Sequence, residues 1–200
     1  LPTIGTVPES ARMFIQTEST PNPATLKFLP GRDVMGEGAV ADFPTQESAG
    51  RSPLARALFA LPDVSRVFFG SDFISVTKSE SADWKHMKVP VLAAIMDHFT
   101  RNLPVMEGAS DEADDSAQYG EGDPEVVAQI KELIDTRVRP AVAQDGGDII
   151  YKGFDGGSGI VFLHLQGSCA GCPSSTITLK NGIENMLRHY VPEVNAVEAV

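Results

Sequence analysis

Hydrophobic and polar positions along this chain form two patterned stretches separated by a polar one. After Met13 the side chains alternate. Residues 14–17 and 25–29 are predicted as short strands, divided by the Pro21-Asn22-Pro23 turn and closed by Pro30-Gly31. Ser52-Pro53 predicts a helix start, because a serine oxygen accepts from free backbone N–H groups and a first-turn proline has none to satisfy. Leu54, Leu58 and Leu61 give that helix its apolar stripe, and Pro62 ends it. Residues 64–69 and 73–77 are rich in β-branched and aromatic side chains, and Gly70-Ser71-Asp72 suits the hairpin turn between them. A longer amphipathic helix is expected from Asp83 or Trp84 to Leu103, carrying Leu92, Ile95, Met96 and Phe99, with Pro90 as a kink or late start. Residues 13–103 thus form one α/β unit. Residues 1–12 lack periodicity and are expected to be a disordered leader outside the fold.

In the second stretch, Asp123-Pro124 repeats the capped helix start, and Val126, Val127, Ile130, Leu133, Ile134 and Val138 recur at helical spacing until Pro140 bends or ends the run. Asp145-Gly146-Gly147-Asp148 predicts a turn with one glycine at positive φ. Residues 148–154 and 160–166 read as strands joined by Asp155-Gly156-Gly157-Ser158-Gly159. Leu179, Ile183, Met186, Leu187 and Tyr190 mark a last helix, and residues 194–200 a last strand. Between the two units lies Asp111-Glu112-Ala113-Asp114-Asp115, set among Ser, Gly and Ala. Such a segment buries too little apolar surface to offset its ordering entropy. The fold class expected is α+β: two small α/β domains, 13–103 and 123–200, joined by a flexible acidic linker at 104–122. The C-terminal domain has the order α-β-β-α-β.

Composition narrows the function. A 42% apolar content over 200 residues builds a real core, and a net charge of −11 without a basic cluster disfavours nucleic acid. No apolar run approaches the ~18 residues a membrane span needs. Two cysteines make no secreted disulfide framework, so a reducing compartment is expected.

Both cysteines fall in Cys169-Ala170-Gly171-Cys172, between a strand pattern and a helix pattern. Gly167 and Gly171 clear room for a tight turn, which is expected to aim the thiols outward beside the helix start. Free N–H groups and the positive end of the helix dipole there should lower the thiol pKa. Four uses compete: inert burial, a thiol–disulfide redox pair, zinc with His164 or His189, and an iron–sulfur cluster bridged by two copies of the chain. Redox use lacks the aromatic residue just before the first cysteine. Zinc is weakened because His164 lies on the strand and His189 on the last helix. In the bridged reading, a two-fold axis brings together four thiolates, the all-cysteine ligand set such clusters take. His86 and His98 of the first unit show no ligand spacing, and no catalytic residue is assigned.

Several motifs carry a family likeness. Arg139-Pro140-Ala141, Asp145-Gly146-Gly147-Asp148 and residues 167–176, Gly-Ser-Cys-Ala-Gly-Cys-Pro-Ser-Ser-Thr, resemble the NifU C-terminal-like (Nfu) domain. Met13-Phe14-Ile15-Gln16-Thr17, Thr20-Pro21-Asn22-Pro23, Leu26-Lys27-Phe28, Arg51-Ser52-Pro53-Leu54-Ala55 and residues 67–74 resemble the Nfu N-terminal domain. The resemblance implies a non-enzymatic scaffold or carrier of iron–sulfur cluster assembly. Such a protein holds a 4Fe–4S cluster between two protomers through Cys169 and Cys172. It takes the cluster from upstream assembly proteins and passes it to apo iron–sulfur proteins. Two-domain versions are found in bacterial cytoplasm and in mitochondria. The lack of an Arg-rich amphipathic start leads to the expectation of the bacterial cytoplasm.

Overall fold

A computed structural model of the chain describes residues 14–108, 119–120, 122–170 and 173–200. The expected leader at 1–12, the acidic run at 111–115 and two members of the cysteine loop, Gly171 and Cys172, lie outside the described residues. The described chain builds two hydrophobic cores, one for each patterned stretch.

The N-terminal unit is a five-stranded antiparallel sheet of β1 (Gln16–Ser19), β2 (Thr25–Leu29), β3 (Ala41–Phe43), β4 (Val64–Phe69) and β5 (Ile74–Lys78), in the spatial order β1-β2-β5-β4-β3. Strand β1 starts two residues later than the alternation predicts and β5 one later. Strand β3 was not foreseen, since three residues after a glycine-bearing loop give no readable period. Helix α1 (Pro53–Phe59) begins where expected: the Ser52 hydroxyl accepts from the Ala55 N–H at 3.0 Å and donates to the Val105 carbonyl at 2.6 Å. Helix α2 (Trp84–Thr100) is capped by Asp83 and carries Pro90 in its interior, so the proline does not delay its start. Leu54, Leu58, Val91 and Ile95 pack on Phe28, Val67, Phe69, Ile74 and Val76 from the sheet. Val105 and Met106 lie against the same core, extending the packed chain beyond Leu103.

In the C-terminal unit, α3 (Pro124–Leu133) runs through a widened turn at Ile134–Val138 into α4 (Arg139–Gln144). Proline lacks an N–H, and its ring crowds the carbonyl four residues back. Here the backbone makes room by bonding the Arg139 N–H five residues back, to the Ile134 carbonyl, so the helical run passes Pro140 instead of ending there. The hairpin of β6 (Gly147–Asp155) and β7 (Ile160–Gly167) is joined by β8 (Ala196–Ala199), which lies parallel to β7. Parallel neighbours require a crossover, and α5 (Pro173–Tyr190) supplies it. The predicted order α-β-β-α-β is the one observed.

Candidate functional site

The site forms where the chain enters β6 and leaves β7. Gly147 pairs with Gly167 in the ladder, so the turn before one strand and the cysteine loop after the other lie side by side. Gly146 takes φ 82° and Gly167 φ 64°, backbone shapes that glycine adopts without a Cβ penalty. The Ser168 N–H donates to the Gly146 carbonyl at 3.2 Å, and its hydroxyl donates to the Asp145 carbonyl. Further along, the Thr176 hydroxyl donates to the Cys169 carbonyl at 3.1 Å, tying the loop to the first turns of α5.

Cys169 does not point outward. It is 6% exposed and belongs to the C-terminal core, and its Sγ lies so close beneath Gly147 that a Cβ there would come within 2.7 Å of it. Burial pushes its thiol pKa up to about 11; the Ser168 hydroxyl opposes the rise, and the negative charges of Asp145 and Asp148 add to it. The expectation of an exposed, anionic thiol therefore fails at this residue. A helix start favours a nearby anion by up to ~1 kcal/mol at exposed sites, whereas removing a thiolate from water costs more. Cys172, the other expected ligand, lies outside the described residues.

Asp148 follows in β6 and is held by Arg139 of α4. Arg139 Nε donates to Oδ1 at 2.9 Å and Nη2 to Oδ2 at 2.7 Å. This carboxylate raises the guanidinium pKa. The pair clamps α4 to the strand that opens the site, a role the sequence motif did not reveal. Neither histidine considered for zinc approaches Cys169 through a direct contact: His164 Nδ1 lies 2.6 Å from the Val200 carbonyl, and His189 packs edge-on to Tyr190. Among the described residues, no three His, Cys, Asp or Glu side chains gather as a metal site.

Residues of the N-terminal unit also reach the loop. Asn22 Nδ2 donates to the Ser168 carbonyl at 3.3 Å, the Ser75 hydroxyl to the Gly146 carbonyl at 2.6 Å, and Lys27 Nζ to the Gln144 carbonyl at 3.3 Å. In the sequence Asn22 and Lys27 stand only in a turn and in motifs of family likeness, and nothing there marks them or Ser75 as a contact surface. The available signal was Val67-Phe68-Phe69, apolar on both faces of a strand that a one-sided sheet would make alternate.

Comparison with known proteins agrees with this architecture. Residues 15–102 match the family described as scaffold protein Nfu/NifU N terminal, and residues 130–198 match the NifU-like domain. The two matches take in most of the chain, which belongs to the Nfu/NifU family of scaffold proteins. A Drosophila sechellia protein named NFU1 iron-sulfur cluster scaffold homolog, mitochondrial, is 53% identical over 94% of this chain. An Arabidopsis thaliana protein named NifU-like protein 4, mitochondrial, is 54% identical over 93%. The chain spans 65% of the length of each. A solved NifU-like protein from Saccharomyces cerevisiae is 24% identical, with a TM-score of 0.43 over 48% of this chain and 87% of that one; the overlay adds nothing to the family match.

These relatives overturn the expectation of a bacterial cytoplasmic protein, since they are eukaryotic and named mitochondrial. That expectation rested on the weakly basic character of residues 1–12. The relatives extend beyond the matched stretch, so the composition of those residues is no guide to compartment. Among the described residues, no helix is long and apolar enough to cross a membrane.

Proposed function

We propose that the chain is a non-enzymatic scaffold and carrier that holds a 4Fe–4S cluster between two copies, through Cys169 and Cys172 of each, and passes it to apo iron–sulfur proteins. The observation that carries this reading is an incomplete ligand set. One loop offers two sulfurs, an all-cysteine cluster takes four, and a two-fold axis supplies the difference. Family membership and the relatives' names support the same conclusion. The mitochondrial location in those names is part of the proposal.

Ligation asks two things of the chain. Cys169 must turn from beneath Gly147, and each thiol must lose its proton as its bond to iron forms, which makes binding pH-dependent. Sulfurs held at an interface between copies leave with that interface, which suits cargo intended for release. The rival reading, thiol–disulfide exchange, requires an accessible thiol with a depressed pKa. Cys169 is buried and shifted the other way.

The test is transfer. Anaerobically loaded wild-type protein should activate an apo-enzyme that depends on a 4Fe–4S cluster. Cys169→Ser and Cys172→Ser chains should fold, carry no cluster and activate nothing. Insulin reduction by metal-free protein, with no iron retained on anaerobic purification, would favour the redox reading instead.

A further inference from the structure

Strand alternation divides the N-terminal sheet into two faces. Phe28, Val67, Phe69, Ile74 and Val76 turn to the helices α1 and α2. Their neighbours turn the other way, and β-ladder register lines up Lys27, Ser75 and Phe68 as one row across β2, β5 and β4. A solvated outer face would leave that row exposed. Instead Phe68 is 1% exposed, and Lys27, Ser75 and Phe73 are buried with it. Neither phenyl ring belongs to the N-terminal core. Their cover is the C-terminal unit.

The two surfaces match in chemistry and in shape. Three side-chain donors, Asn22, Lys27 and Ser75, meet three backbone carbonyls, those of Ser168, Gln144 and Gly146. Phe68 lies on Gly167, where a Cβ would come within 2.9 Å of its ring, and a Cβ on Gly146 would come within 2.7 Å of Ser75 Oγ. Glycines on one side thus permit the close approach of the row on the other. Lys27 keeps its charge compensated by Glu18, 3.6 Å away, and lies over the Phe73 ring at 4.7 Å.

We propose that the outer face of the N-terminal sheet is a docking surface for Gln144, Gly146, Gly167 and Ser168 of the same chain, and that this closed arrangement competes with the approach of a second copy. The competition rests on the shared-cluster reading above; the docking does not. A bridged site needs two cysteine loops to face each other about an axis, and a sheet lying on Gly167 and Ser168 occupies that approach. Contacts made largely through side-chain donors to carbonyls are readily replaced by water, so the surfaces can part. Relative motion between units joined by such an interface is the ordinary expectation. The N-terminal unit thereby controls when the loop meets its partner.

NMR on the full-length apo chain tests the docking, with contacts expected between the Phe68 ring protons and the Gly167 α-protons, and one tumbling rate for both units. Phe68→Ser and Ser75→Arg alter the outer face without entering the N-terminal core, and should remove those contacts while core signals persist. If the open form is about a tenth of the apo population or less, either change should lower the protein concentration at half-loading by at least about tenfold. Loading wild-type protein with cluster should itself abolish the Phe68–Gly167 contact, a readout that needs no variant. Apo wild-type protein that lacks the contact, or tumbles as two independent bodies, overturns the docking. Persistence of the contact in a cluster-bridged dimer, or folded open variants that load at the wild-type concentration, overturns the competition. A chain that shows the contact yet binds no cluster upholds the docking and strikes at the shared-cluster reading.

Discussion

At the scale of single residues, Cys169 meets opposing demands. A ligand sulfur must be anionic and reachable, while the fold buries the thiol beneath Gly147 and raises its pKa to about 11. Under the proposed ligation, coordination would resolve the conflict, because a coordinated thiol is deprotonated outright. Until then the buried, protonated thiol is poorly reactive toward oxidants. His98 shows the same desolvation acting on a base. It is 2% exposed, and among the described residues its Nε2 has no hydrogen-bond partner. Burial lowers its pKa below 6.5, against smaller raising effects from the Leu103 backbone and Asp97. The folded state therefore favours the neutral ring. Its contribution to stability is complete above pH 6.5 and is lost as pH falls below that value toward the folded pKa. Trp84, the chain's one tryptophan, packs near Phe28 and reports on this unit. Urea midpoints followed by its fluorescence should fall between about pH 7.5 and about pH 5.5 in wild type, and less in His98→Leu. Equal slopes would mean His98 does not titrate with unfolding.

At the scale of elements, the Arg139–Asp148 pair joins α4 to β6 and fixes the turn that covers Cys169. The Asp148 side chain is 5% exposed and that of Arg139 31%. Removing the arginine leaves a buried carboxylate unpaired, so Arg139→Leu should cost roughly 3 kcal/mol, the low end for a broken buried pair because the guanidinium is partly solvated. Amide exchange along β6 measures it; a change within about 0.5 kcal/mol would place Arg139 among ordinary surface residues. Most elements were legible because their local chemistry is self-sufficient. Ser52-Pro53 and Asp123-Pro124 cap their own helix starts, and the Asp155 carboxylate accepts from the Gly157 N–H and the Ser158 hydroxyl within the glycine-rich turn at 155–159. Strand β3 was not legible, because its pairing partner β4 creates it. The continuation of the helical run from α3 into α4 past Pro140 was half legible: proline foretells a disturbance, while the surrounding core decides whether the run survives it.

At the scale of the whole molecule, the sequence divides into two α/β units, and the structure builds a hydrophobic core in each. The direction of the Cys169 thiol was not legible, since it depends on Gly147 from another strand. Nor was the burial of Lys27, Ser75 and Phe68, which depends on a surface more than sixty residues away in sequence. Long-range contacts of this kind leave only indirect traces, such as two adjacent phenylalanines on opposite faces of β4. In the proposed function, the ligand set left incomplete by one chain is completed by a second. Native mass measurement of anaerobically reconstituted full-length protein, with iron counted on the same sample, tests it most directly. A species of two chains carrying about four irons is expected, dissociating to monomers as the cluster is removed. A single chain that retains a full complement of iron would contradict it.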